Sequence, residues 1–143
     1  MICTFFGHRD APESIRPKLR EVLVELIDLQ GIKQFYVGNQ GYFDGMVRSL
    51  LAELEQPRGI RYEVVLAYLP QKTAGLCDVD HTLLPEGIET VPPRYAIEYR
   101  NKWMINHCDV VVTYVTRNFG GAAKFKEMAL RKNKTVIELA GVG

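Results

Sequence analysis

The chain predicts an α/β fold: a Rossmann-like parallel sheet with helices on both faces, in three layers. Three observations carry this expectation. Short apolar, β-favouring runs alternate with longer runs whose apolar residues recur at helical spacing. The connections between them are mostly short, as in sheets built from strand–helix–strand units. Glycine-centred turns fall where a strand hands over to a helix, at 38–44 and again at 118–124.

Residues 2–6 form a β-favouring run ended by Gly7, the first expected strand. Ala11-Pro12-Glu13-Ser14 opens a helix carrying Ile15, Leu19, Val22, Leu23, Leu26 and Ile27 at helical spacing. Pro17 falls in its first turn, where a missing N–H costs little, and Gly31 closes it. Residues 33–37 make the second strand. The next helix covers 43–56, with a buried stripe of Met46, Val47, Leu50, Leu51 and Leu54, and Pro57-Arg58-Gly59 reads as a turn. Residues 61–69 are the third strand, ended by Pro70, and 64–67 read as buried on both faces. From 71 to 93 no period dominates, and loops this long are usually functional or partly ordered by short elements of their own. A helix over 94–107, a strand over 109–115, a helix over 121–132 and a last strand over 135–139 complete the chain.

Size and composition fit one domain over 1–143 with a real core. Hydrophobic residues are 47% and charged residues 24%, the usual balance of a soluble globular protein. A net charge of +1 speaks against a dedicated nucleic-acid binder but leaves room for a local basic pocket. The apolar runs are too short to span a bilayer, and the N-terminus lacks the marks of a signal peptide. Cys3, Cys77 and Cys108 form no Cys-x-x-Cys pair and suit a reducing, cytoplasmic setting. His81 and His107 stand apart from other ligand types, so neither a metal nor a cofactor is expected.

In an open parallel sheet, ligands sit beyond the carboxyl ends of the strands. The loops there are Gly7-His8-Arg9-Asp10, the turn at 38–44, the segment from Pro70, and 117–123. Gly38, Asn39, Gln40, Gly41 and Asp44 suit contact with phosphate or ribose; the plainer alternative is a tight turn with Asp44 as an ordinary cap. Gly120, Gly121 and Ala122 form a second such turn, and the expectation is that main-chain amides of both bends grip one anion. Arg9 has a phosphate-matching fork and His8 titrates near neutrality; alternatively His8 caps a strand end and Arg9 pairs with Asp10. Arg100 and Glu127 would converge on a ribose and stabilise an oxocarbenium-like state, unless both are ordinary solvated helix residues. Tyr42, Phe43, Tyr95, Tyr99 and Trp103 offer stacking faces for a base, or else core; Trp103 is the firmest core assignment.

These motifs together resemble the SLOG superfamily of Rossmann-like domains, in particular its small YpsA-like branch. The likeness covers most of the chain. It rests on Phe6-Gly7-His8-Arg9, on Gly38 followed by Asp44, on Arg100-Asn101-x-x-Met104-Ile105 before Cys108-Asp109-Val110-Val111-Val112, and on Gly120-Gly121 before a helix. The resemblance implies a nucleotide-derived ligand and, commonly, a homodimer formed through helices beside the site. One branch, the lonely-guy phosphoribohydrolases, cleaves the N-glycosidic bond of nucleoside 5′-monophosphates. Its signature Pro-Gly-Gly-x-Gly-Thr-x-x-Glu is similar to residues 119–127, which implies a catalytic role for Glu127, with Arg100 near that branch's arginine. Phe119, Ala123 and Lys124 depart from the signature at its proline, third glycine and threonine. The leading expectation is therefore nucleotide binding without turnover. A nucleoside 5′-monophosphate N-glycosidase comes second, and a DNA-associated accessory protein third.

Overall fold

A computed structural model describes residues 1–68 and 81–140. Six strands form one parallel sheet: β1 (Ile2–Gly7), β2 (Gln34–Val37), β3 (Arg61–Val65), β4 (Thr82–Leu83), β5 (Val110–Tyr114) and β6 (Thr135–Glu138). Their spatial order is β4-β3-β2-β1-β5-β6. Four helices connect them: α1 (Arg16–Asp28), α2 (Gly41–Arg58), α3 (Pro93–Asn106) and α4 (Gly121–Arg131). The chain runs outward from β1 in one direction through β2, β3 and β4, then returns to the other side of β1 with β5 and β6. The connection order therefore reverses between β1 and β5.

Strand alternation distributes the core over two layers. On one face Cys3 and Phe5 of β1, with Val110 and Val112 of β5, pack against Leu19, Leu23 and Leu26 of α1 and Phe43, Val47 and Leu51 of α2. On the other, Phe6 and Val111 meet Met104 and Ile105 of α3 and Phe125 and Ala129 of α4. This is the three-layer Rossmann-like arrangement. Thr4 shares the α3 face, and its hydroxyl is satisfied by the Tyr36 carbonyl at 2.8 Å. Among the described residues no helix is long and apolar enough to cross a membrane.

Several boundaries differ from the sequence reading. The first helix begins as a 3-10 turn at Glu13–Ile15, with Pro17 early in α1 as expected. The α2 helix absorbs Pro57 in its last turn instead of stopping before it. The carbonyl that this proline leaves without an amide belongs to exposed Glu53, where water can serve it. β3 ends at Val65, although the Leu66 amide still bonds the Leu83 carbonyl at 2.9 Å. That bond belongs to β4, a strand within the segment read as irregular; two residues are too short for any periodicity to register. Pro70, Cys77 and most of the 71–93 segment's first half lie outside the described residues. Trp103 is half-buried, not core: it lies against Tyr36 and stacks on His107 with ring centroids 4.1 Å apart.

Gly7 ends β1 against the buried Phe43 ring, and a Cβ there would stand 2.3 Å from the ring carbon Cγ. Phe43 has nowhere to go in a packed core. Gly7→Ala is expected to destabilise the fold by about 2 kcal/mol, read as a lower urea midpoint at unchanged slope. An unchanged midpoint would show that this contact relaxes freely.

Candidate functional site

A cleft of about 460 Å³ opens at the carboxyl edge of the sheet, where the connections reverse between β1 and β5. Such a crevice is the usual ligand position in open α/β sheets, and the volume lies in the range of small-molecule sites. One wall is the loop after β1, with Gly7, His8 and Arg9; another is the start of α2, with Gln40 and Asp44. Arg100 and Asn101 of α3 form the floor side, and Gly120, Gly121 and Ala122 bring in the start of α4. The lining carries four cations, Arg9, Arg100, Arg117 and Lys124, against two carboxylates, Asp44 and Glu98. A chain close to neutral overall thus concentrates positive charge here.

The two glycine turns share this edge but differ in what they offer. At α2, the Gln40 amide donates to Asp44 Oδ2 at 2.9 Å and the Tyr42 amide to the Arg9 carbonyl at 2.9 Å. The helix start is therefore served by the protein's own carboxylate and backbone, so these two amides do not grip an external anion. Asp44 is the helix cap foreseen as the plainer alternative. At α4, no side chain among the described residues caps the first turn, and the first intrahelical bond runs from the Lys124 amide to the Gly120 carbonyl. The preceding amides of a helix have no intrahelical acceptor. Gly120 has φ +94°, a conformation that favours glycine. Gly121 has neither positive φ nor any neighbour within 4 Å of a Cβ built on it. Packing among the described residues does not demand glycine at 121.

Arg100 is the largest fully buried side chain, 2% exposed. Its Nε donates to Asn101 Oδ1 at 2.8 Å, and Nη1 donates to the Val65 carbonyl at 3.0 Å and to Asn39 Oδ1 at 3.2 Å. Burial pulls the guanidinium below its ordinary value, opposed by Asp44 and Tyr68, and an arginine stays charged through such a shift. Gly38 makes room for this: a Cβ there would stand 2.8 Å from Asp44 Oδ2 and 3.1 Å from Arg100 Nη1. Gly38 and Asn39 thus lie behind the cleft lining and support it. Burial pushes Asp44 up to about 6, with the Gln40 amide and the Arg100, Arg48 and Arg9 guanidiniums opposing.

His8 is buried and acts as a joint. Its amide bonds the Tyr114 carbonyl at 3.2 Å, and its ring Nε2 accepts from the Thr116 amide at 2.9 Å. That bond requires the neutral ring with its proton on Nδ1. Burial first, then Arg117, pull its pKa down, which preserves the bond near neutrality. Arg9 does not pair with Asp10: it donates to Gln40 Oε1 at 3.3 Å, while Asp10 takes Arg117 at 3.4 Å. Glu138, which the sequence reading passed over, accepts from the Thr113 hydroxyl, the Lys126 ammonium and the Val115 and Ala140 amides, all within 2.9 Å. Burial pushes this carboxyl up, but those donors together hold it below the ordinary range. With His8 it fixes the exit of β5, from which the loop to α4 departs.

The expected convergence of Arg100 and Glu127 does not occur. Glu127 is exposed and lines a separate cleft with Thr116, Asn118, Lys126 and Leu130. At two turns from the helix start its direction is set by the 3.6-residue period, with buried Phe125 and Ala129 facing the sheet. None of Tyr42, Phe43, Tyr95, Tyr99 or Trp103 lines the first cleft. Arg48, Arg117 and Glu98, which the sequence did not single out, belong to the site or its support, as does Asn101 of the Arg100-Asn101 motif. Arg48 lies one helical turn beyond Asp44 and donates to the Gly38 carbonyl at 3.3 Å, a spacing that could have flagged it. Among the described residues no three His, Cys, Asp or Glu side chains gather as a metal site. No family model and no curated protein matches this chain.

Because Asp44 titrates higher folded than unfolded, its burial is a penalty fully present above about pH 6 and removed below about pH 4. His8 and Glu138 are both held low and lose stability on acidification, so the test is a comparison with Asp44→Asn. Relative to that variant, the wild type should gain about 2–3 kcal/mol between pH 7 and 4 in urea unfolding. A pH-independent difference would contradict the assignment.

Proposed function

We propose that this protein binds a nucleotide or nucleotide derivative, with the phosphate at the N-terminus of α4. The observation that carries the reading is the uncapped, glycine-opened start of α4 in a cation-rich cleft at the reversal point of the sheet. A helix start supplies unpaired N–H groups and a positive dipole end, and Arg9, Arg117 and Arg100 add full charges nearby. The cleft volume exceeds what a bare phosphate needs and fits a larger molecule that carries one. The resemblance to the SLOG superfamily points to the same ligand class.

The observations favour binding over hydrolysis. The N-glycosidase reading assigns charge stabilisation to Glu127, which opens on the other cleft. Of the carboxylates in the ligand cleft, Glu98 is engaged by Lys124 at 2.5 Å and Asp44 caps α2.

Gly121→Val separates the site from the fold, because a side chain there meets nothing and the backbone φ is not left-handed. Calorimetric titration with AMP should show binding to the wild type that weakens with added salt. The variant should lose about tenfold or more in affinity, with its melting temperature within about 3 °C of the wild type. Absence of binding by AMP, GMP, CMP and UMP to the wild type at millimolar concentration would remove the proposal. Chromatography of the same mixtures for released base tests hydrolysis directly.

A further inference from the structure

A second cleft, of about 630 Å³, lies on the far side of Arg9 from the first, and Arg9 lines both. Between them the loop after β1 meets the start of α2. There the Tyr42 amide bonds the Arg9 carbonyl, and Gly41, at φ +85°, lies so close to the Arg9 backbone that a Cβ would stand 2.7 Å from its Cα. The Arg9 and Gln40 side chains at this junction are held to each other at 3.3 Å. Beyond it, Tyr42 is 73% exposed. Gly41, Gly45 and the buried Met46 share the lining with it.

Among the described residues the first cleft offers no open phenyl face for a nucleobase. Its aromatic residues, Phe5, Phe6 and Phe125, are core side chains at most 6% exposed, so none presents an open ring face. The second cleft has such a face. It also has three arginines, but Arg16 is already held by Ser49 at 2.8 Å and by Glu53 at 3.3 Å, and Arg48 by the Gly38 carbonyl. Those cations are committed to the fold, while the tyrosine ring is bare. Stacking on an aromatic face is open to any base, because every base has a π-face.

We propose that the second cleft takes the nucleobase, stacked on Tyr42, of a nucleotide whose phosphate lies at the start of α4 and whose sugar passes Arg9. This rests on the phosphate site proposed above and adds the position of the base. It makes Tyr42 the residue that distinguishes a nucleotide from a plain sugar phosphate.

The test is calorimetric titration of the wild type, Tyr42→Ala and Tyr42→Phe with ribose 5-phosphate and with the four nucleoside 5′-monophosphates. An exposed side chain can be truncated without harm to the core, which circular dichroism checks. At least one nucleotide should bind the wild type about tenfold more tightly than ribose 5-phosphate. Tyr42→Ala should bring that nucleotide to within about twofold of ribose 5-phosphate, leave ribose 5-phosphate unchanged, and be rescued by Tyr42→Phe. If ribose 5-phosphate and all four nucleotides bind the wild type equally, the base has no site and this inference fails while the phosphate site stands. If the preference for a nucleotide survives in Tyr42→Ala, the base lies elsewhere and the inference is overturned. Failure of every ligand to bind removes the phosphate site and this inference together.

Discussion

The carboxyl edge of the sheet depends on one buried cation. Arg100 reaches from α3 under the cleft and is tied to the end of β3 through the Val65 carbonyl, to the turn after β2 through Asn39, and to its own helix through Asn101. A guanidinium removed from water costs several kcal/mol unless its donors are met, so these bonds are a condition of the fold. They bind three elements that are far apart in sequence into one platform. Gly38 is the complement: only a residue without a side chain lets Asp44 and Arg100 come this close to the backbone. The charge that holds the edge together also gives the cleft its sign.

That sign is put to two different uses at two helix starts. The α2 start receives the carboxylate of Asp44, an internal anion supplied by the same chain. Burial raises the cost of that charge, and the Gln40 amide and the surrounding arginines lower it, so the carboxyl is pushed up only to about 6. Among the described residues no side chain accepts from the first amides of α4. Both ends obey the same physics of unpaired amides and aligned dipoles. They differ in whether the sequence places an acceptor within reach: Asp44 follows Gln40 by four residues, whereas the first turn of α4 is glycine and alanine.

Around that second start the protein spends polar groups on positioning. His8 accepts the Thr116 amide, and Glu138 takes donors from Thr113, Val115, Lys126 and Ala140. Together they set the path of β5 into the loop that delivers Gly120. Neither residue needs to touch a ligand to matter for one. The loop conformation is held from beneath by groups whose protonation states suit those bonds near neutral pH.

Much of the fold was legible in the chain because it follows from local periodicity. Apolar spacing located all four helices and five of the six strands, and alternation with short connections implied a parallel sheet. β4 escaped because a two-residue strand exists only through its partner, β3. The glycine turns marked the correct edge of the sheet, since a strand–helix junction announces itself locally. What sequence could not supply was direction. Whether Glu127 faces the cleft, whether Trp103 is covered, and whether Asp10 meets Arg9 or Arg117 all depend on how helices and loops dock, and spacing along one element is silent on that. Sequence by itself determined which segments become strands and helices and which loops gather at one rim, because those are set by neighbours a few residues apart. Only the tertiary structure decided the electrostatics of that rim, because Asp44 reaches Gln40 from its own helix but the buried Arg100 that lowers the cost of its charge arrives from α3, distant in the chain.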